Sequence, residues 1–456
     1  MKKKSTVDLI HGPILPSLIS FAFPILLSNI FQQLYNTADI LIVGRFLGQE
    51  SLAAVGATTA IFDLIIGFAL GVGNGMGVVI ARYYGARNFT KIKEAVAATW
   101  ILGALLSAVV MLLGFFGLYP LLQYLDTPAE ILPQSYDYIS MIVSCVGVSF
   151  AYNLFAGLLR SVGDSLAALG FLIFSAVINV ALDLYFITQL QLGVQSAGLA
   201  TIISQGLSAI LCFYYIRRSI PELVPSLKDF KWDKTLYVDL LEQGLAMGLM
   251  GSIVSIGSVI LQSSVNTFGA IIISAQTAAR RIMAFALLPM TAISSAITTF
   301  TSQNFGAKRP DRIVQGLKIS SLLSMFWAAF VCVFLFFSSP SLVSFIASST
   351  DPYLLENGTL YLRLSSTFYP FLSLLLIYRN CMQGLGQKLL PMVSSFIELF
   401  GKIIFVAWII PWAGYLGVII CEPLIWLAMT IQLYFSIFRY PLIVEGKEIL
   451  ATKVQS

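Results

Sequence analysis

The stretch Ser175–Leu190, SAVINVALDLYFITQL, is apolar almost throughout, yet it carries Asn179 and Asp183. Four residues apart on a helix, the amide and the carboxylate project from one face, one turn from each other. A second carboxylate, Asp39, sits in the run QQLYNTADILIVGRFLGQESLAAVG (Gln32–Gly56), and Thr201 lies near the start of a later apolar run. Two carboxylates beside an amide and a hydroxyl can hold one proton between them, because like charges close together resist joint ionisation. They can also surround Na⁺ with oxygen, the ligand type that hard cations prefer. The competing reading is that Asn179 and Asp183 only bond neighbouring helices.

The elements that must position these groups follow from composition. The chain has 456 residues, of which 58% are hydrophobic and 11% charged. Soluble domains carry about 25% charged residues, so this is an all-α polytopic membrane protein. Apolar runs near the spanning length of roughly 20 residues place about twelve transmembrane helices. They run near 14–43, 51–80, 95–120, 130–158, 165–190, 196–217, 236–265, 270–303, 313–337, 353–384, 388–411 and 414–438. Lys2, Lys3 and Lys4 are followed by a mixed polar segment and a full-length span, which does not read as a cleavable signal. The single histidine, His11, argues against catalytic triads and histidine-rich metal sites, so no enzyme activity and no cofactor are expected. Five scattered cysteines show no metal-binding spacing.

Charge orients the spans. With the N-terminus inside, only Arg45, Arg280, Arg281, Arg363, Arg379 and Lys402 of the 27 Lys and Arg fall outside the cytoplasmic segments. The positive-inside rule then predicts that both termini are cytoplasmic, in a plasma (inner) membrane. The net charge of +5 follows from this bias and does not suggest nucleic acid. Orientation gives depth. Asp183 lies roughly 26 Å along the outward fifth span, and Asp39 about 37 Å along the outward first span, at 1.5 Å per residue. Thr201 is within two turns of the outer start of the sixth span. Asp39, Asn179, Asp183 and Thr201 are therefore expected in one outer-half layer.

The chain repeats. ARYYGARNFTKIKEA (Ala81–Ala95) aligns with SQNFGAKRPDRIVQG (Ser302–Gly316) at a shift of 221, matching Gly85 to Gly306, Ala86 to Ala307 and Arg87 to Lys308. The same shift pairs Gly48 with Gly269, while Gly163 pairs with Gly386 at 223 and Gly198 with Gly417 at 219. Six spans per repeat start both halves on the same side, which is a parallel repeat of the kind found in transporters. The expected organisation is a lobe at 1–217, a cytoplasmic linker at 218–235, a second six-helix lobe at 236–438 and a cytoplasmic tail at 439–456.

The Gln32–Gly56 run, the two Gly-Ala-basic loops and the NVALD stretch together resemble the multidrug and toxic compound extrusion (MATE) transporters, over essentially the whole chain. The resemblance implies a coupling-cation site like that of the DinF-like branch, at Asp39, Asn179, Asp183 and Thr201, taking H⁺ or Na⁺. It also implies that a kink at Pro24 lets the first helix bend; a static packing kink is the other reading. NorM-like members carry carboxylates on helices seven and ten, whereas Gly244–Val265 holds no acid and Arg379 stands on helix ten. No second cation site is therefore expected. The implied function is a secondary active multidrug efflux antiporter, working as a monomer in the bilayer and exporting cationic amphipathic organic compounds by alternating access. The alternative is a flippase for a lipid-linked saccharide, kept open by Arg280, Arg281 and Arg379.

Further groups have two readings each. Asp63 stands roughly 20 Å into the second span, able to meet a cationic substrate or pair with Arg281 or Arg379. Tyr35, Tyr152 and Tyr378, with Phe31 and Phe155, could line an aromatic cavity for lipophilic cations, or simply pack. Glu398 and Lys402, four apart, suit an intrahelical ion pair. The run GVGNGMG (Gly71–Gly77) lacks the context of a nucleotide loop and is expected either to pack helices closely or to loosen the helix locally.

Overall fold

The computed structural model describes residues 6–125 and 127–455, with side chains described up to residue 452. Lys2, Lys3 and Lys4, and the side chain of Lys453, which entered the charge count, lie outside the described residues. Those residues form helices and turns, with no strand among them. In chain order the helices are α1 (Ile14–Phe46), α2 (Gln49–Gly85), α3 (Phe89–Tyr124), α4 (Leu132–Ser144), α5 (Val146–Ser161), α6 (Ser165–Thr188), α7 (Gln195–Ser219) and α8 (Lys234–Asn266). They continue as α9 (Ala270–Gly306), α10 (Pro310–Ala347), α11 (Pro352–Thr367), α12 (Tyr369–Gly384), α13 (Leu389–Ile404), α14 (Ile410–Ala413), α15 (Tyr415–Phe438) and α16 (Pro441–Gln455). A π-helical turn, Phe405–Ile409, joins α13 to α14.

Ten unbroken segments among the described residues are long and apolar enough to cross a bilayer. The pairs α4–α5 and α11–α12 bend by 50° and 52° at single-residue breaks and pass the same test as pairs; counted as one span each, they bring the number to the twelve expected. Polar caps define several starts. Asn88 accepts from the Lys91 amide at α3, Asp164 from the Ala167 amide at α6, and Asp351 from the Leu354 amide at α11. The Gly-Ala-basic corners are alike in detail: Arg87 and Lys308 both take left-handed backbone, at φ 53° and 55°.

Packing divides the chain into two compact units. The first holds Leu27–Ser252 with the segment ending at Val7, and the second holds Asp8–Leu26 and Ile253–Ser456. The division therefore passes through α1 and α8 and not through the loops that bound the repeat. Pro24 lies inside α1, which is one helix across it, three residues before the first unit resumes at Leu27.

In the first unit, the glycines of α2 pack helices closely, on two faces. A Cβ on Gly71 would stand 2.7 Å from Gly248 Cα of α8, and one on Gly75 would stand 2.8 Å from Gly244 Cα. Gly73 and Gly77 instead face α5, where a Cβ would stand 3.0 Å from the Asn153 carbonyl oxygen and 3.3 Å from that of Gly157. Each face thus uses glycines four apart to bring backbones together. The expected linker holds two 3-10 turns and is tied to α3, where Lys91 bonds Asp233 at 2.9 Å and Glu94 lies 3.5 Å from Lys231; just beyond it, Arg82 of α2 bonds Asp239 of α8 at 3.1 Å. The Ser226 hydroxyl and amide hold the Asp229 carboxyl below the usual carboxylate range, and Lys91 does the same for Asp233.

In the second unit, the segment expected as a tail folds as α16 and packs on α10. Ile443 is fully buried, Gly446 sits against the Pro310 carbonyl, and the Lys447 ammonium lies 4.2 Å from the Phe438 ring centre. The polar composition of 439–456 hid one apolar face that a helix can bury.

The α2 seam makes a simple contrast. Gly75→Ala must push α2 from α8 and is expected to lower the thermal unfolding midpoint by several degrees. Gly56→Ala, in the same helix with nothing within 4 Å, is expected to match or exceed the wild type. Equal midpoints for the two variants would show that the seam does not constrain the fold.

Candidate functional site

Three helices of the first unit bring the opening residues together. Tyr35 and Asp39 lie one turn apart on α1, Asn179 and Asp183 one turn apart on α6, and Thr201 in the second turn of α7. Asn179, Asp183 and Thr201 are 0%, 1% and 3% exposed, so water has almost no access to them. The Thr201 hydroxyl donates to the Ala197 carbonyl at 3.0 Å and accepts from the Asn179 amide at 3.3 Å. Tyr35, one turn before Asp39 on α1, places its hydroxyl 3.0 Å from that of Thr201. The carboxyls of Asp39 and Asp183 approach within hydrogen-bonding reach of each other. Tyr138 of α4 is buried nearby, packed among the apolar side chains of Val43, Ile61, Ile139 and Ala197.

The acceptors outnumber the donors here. Asp39 Oδ1, both Asp183 oxygens and Asn179 Oδ1 are buried with no hydrogen-bond partner. Two ionised carboxylates have no hydrogen to place between them, so their contact is acceptor against acceptor. A buried group of this kind is costly unless something positive enters. A proton shared by the carboxyls would satisfy it, and so would a small cation held by carboxylate, amide and hydroxyl oxygens. Tyr35, expected on a substrate wall, belongs to this cluster; its position one turn before Asp39 was the available signal.

The second unit meets buried charge differently. Lys402 and Glu398 form the expected intrahelical pair at 2.9 Å, and Lys402 is 2% exposed. Two partners escaped the sequence reading. Glu422 of α15 lies 3.4 Å from Lys402 and 3.0 Å from Arg280 of α9, and it accepts from the Tyr361 hydroxyl of α11 at 3.4 Å. Two carboxylates thus face two fixed cations.

The remaining candidates are scattered. Asp63 and Arg281 are exposed, and Asp63 makes no ion pair within its own unit. Arg379 is half-buried on α12 and makes no ion pair within its unit. Tyr378 is 6% exposed, its ring 5.7 Å from Phe438 and 6.3 Å from Tyr434, so it packs and does not line an open wall. Tyr152 is likewise buried.

Comparison with known proteins agrees with this architecture. The MatE family model matches twice, at residues 24–185 and 246–409. The chain is 27% identical over 421 residues to the probable multidrug resistance protein YoeA of Bacillus subtilis, covering 88% of this chain and 89% of that one. It is 26% identical over 446 residues to the FAD transporter of Shewanella oneidensis, covering 95% and 96%. Among solved structures, a MOP superfamily transporter from Pyrococcus furiosus superposes with a TM-score of 0.85 at 23% identity, covering 99% of both chains. With most of both halves matched, the chain belongs to the MatE family of multi-pass membrane transporters.

Proposed function

We propose that this protein is a secondary active multidrug efflux antiporter of the plasma membrane, exporting cationic amphipathic organic compounds in exchange for H⁺ or Na⁺. It acts as a monomer with both termini cytoplasmic. The coupling cation binds at Asp39, Asn179, Asp183 and Thr201, as in the DinF-like branch, with Tyr35 completing the set. One observation carries this reading: the half-buried Asp39 and the buried Asp183 carboxyls meet with three of their oxygens and the Asn179 oxygen buried and unpartnered, and no basic residue is ion-paired to either carboxyl among the described residues. The relative named as a probable multidrug resistance protein supports the substrate class.

The mechanism is linkage. An empty site holds unbalanced negative charge, and a bound cation neutralises it and joins α1 to α6 and α7. A conformation that compresses the carboxyls is therefore favoured only when the cation is present. Substrate drives the opposite preference, and each ligand disfavours the state the other selects, which is the thermodynamic requirement for exchange by alternating access. Pro24 deprives the Ser20 carbonyl of its helical partner and gives α1 a soft point on the way from this cluster.

In proteoliposomes, efflux of a fluorescent lipophilic cation is expected to follow an imposed H⁺ or Na⁺ gradient. Asp183→Asn and Asp39→Asn should each cut gradient-driven transport by about 10-fold or more, within the usual range of coupling energies. Gradient-driven transport at wild-type rates in folded Asp183→Asn would reduce the cluster to a structural hydrogen-bonding role.

Tyr35→Phe removes one hydroxyl and no charge. Loss of a single hydrogen bond is worth about 1 kcal/mol, so the ion concentration for half-maximal transport should rise about fivefold while coupling persists. Complete uncoupling in Tyr35→Phe would mean that the phenol, and not the carboxyl pair, carries the ion.

A further inference from the structure

The second unit places a closed set of charges at the position that the repeat relates to the carboxylate cluster. Backbone conformation fixes the register independently of residue identity. Left-handed residues pair at Gly163 with Gly386 and at Gln191 with Gly414, both 223 apart. The single-residue breaks pair in the same way, Cys145 between α4 and α5 with Phe368 between α11 and α12. These three matches bracket α5 and α6 with their counterparts, and α4 runs directly into the break, so positions within them correspond one for one. Tyr138 then corresponds to Tyr361, Ser175 to Glu398, and Asn179 to Lys402. On α1 and α8 the shift of 221 set by Gly48 and Gly269 equates Tyr35 with Ile256 and Asp39 with Ile260.

The two sites are thus built on the same frame with different charges. Each has a tyrosine from the first half of its broken span, Tyr138 beside one and Tyr361 bonded within the other. Each has two carboxyls. In the first unit no fixed cation bonds them. In the second, Lys402 holds the position that corresponds to Asn179, its ammonium 2.9 Å from Glu398 and 3.4 Å from Glu422, and Arg280 completes the neutral balance. The lysine has a slot made for it. A Cβ on Gly257 of α8 would stand 3.0 Å from Lys402 Cδ, so the stem lies along bare backbone.

We propose that Lys402 is a tethered counter-cation, whose ammonium permanently fills in the second unit the place that an exchangeable cation fills in the first. The protein then couples through one ion site. The comparison of the two sites rests on the role proposed for Asp39 and Asp183; the occupancy of the second site by Lys402 does not.

The test uses purified full-length protein as wild type, Lys402→Ala and Lys402→Ala/Glu398→Gln, each also carrying Asp183→Asn. Thermal unfolding is followed in choline chloride, in NaCl and with added propylammonium. Lys402→Ala leaves two carboxyls against Arg280 alone, and its midpoint should fall by at least about 5 °C. Na⁺ or propylammonium should restore it, choline should not, and Glu398→Gln should abolish the rescue. Asp183→Asn should leave the rescue unchanged. A wild-type midpoint in Lys402→Ala, a fall that neither cation restores, or a rescue that survives Glu398→Gln would overturn the proposal. Should Lys402→Ala fail to fold, the charge-balanced Lys402→Met/Glu398→Gln decides. It should keep ion-driven transport within about twofold, since a buried pair can be replaced together at little cost. Loss of ion dependence in that folded variant would show Lys402 to be an exchanging group and overturn the proposal. Failure of the first-unit reading is seen separately, as wild-type transport by Asp183→Asn with the Lys402→Ala rescue intact.

Discussion

A carboxylate held away from water needs a positive partner, and the layout of this transporter follows from how each unit supplies one. The bilayer already demands that every backbone group be satisfied within its own helix, which is why the spanning segments are helical. Side chains are the remaining freedom. The second unit spends two basic residues, Arg280 and Lys402, to close its balance inside the fold. The first unit leaves Asp39 and Asp183 facing each other with no basic side chain bonded to them.

The carboxyl cluster draws its side chains from three helices, α1, α6 and α7, so its polar balance is set between helices and not within one. Of these, α6 and α7 pack on each other, while α1 belongs to the first unit only in its second half, from Leu27 onward. The first part of the same helix, including Pro24, belongs to the second unit.

Much of this was legible in the sequence, because hydropathy and charge fix depth along the membrane normal. Depth alone put Asp39, Asn179, Asp183 and Thr201 in one layer, and the structure brings them into contact. The glycines of α2 were legible for a related reason: a helix studded with Gly at spacing four has little to pack with except backbone. Depth does not give azimuth, however. Which neighbour a helix face meets depends on packing over long sequence separations. Glu422 therefore escaped notice although Lys402 and Glu398 did not, and Tyr35 was read as a cavity wall. The helix within 439–456 and the packing boundaries inside α1 and α8 were not legible because both are set by contacts that no local pattern encodes.

The two Gly-Ala-basic corners carry one more consequence. Arg87 and Lys308 hold left-handed backbone that glycine would adopt freely, and for a residue with a side chain that conformation costs roughly 1 kcal/mol or more. A glycine could serve at either corner, as it does at Gly163 and Gly386. The chain keeps a cation there twice. Local backbone ease is given up for a charged side chain at the same corner of both halves, so the repeat preserves a locally unfavourable choice as faithfully as it preserves the turn itself.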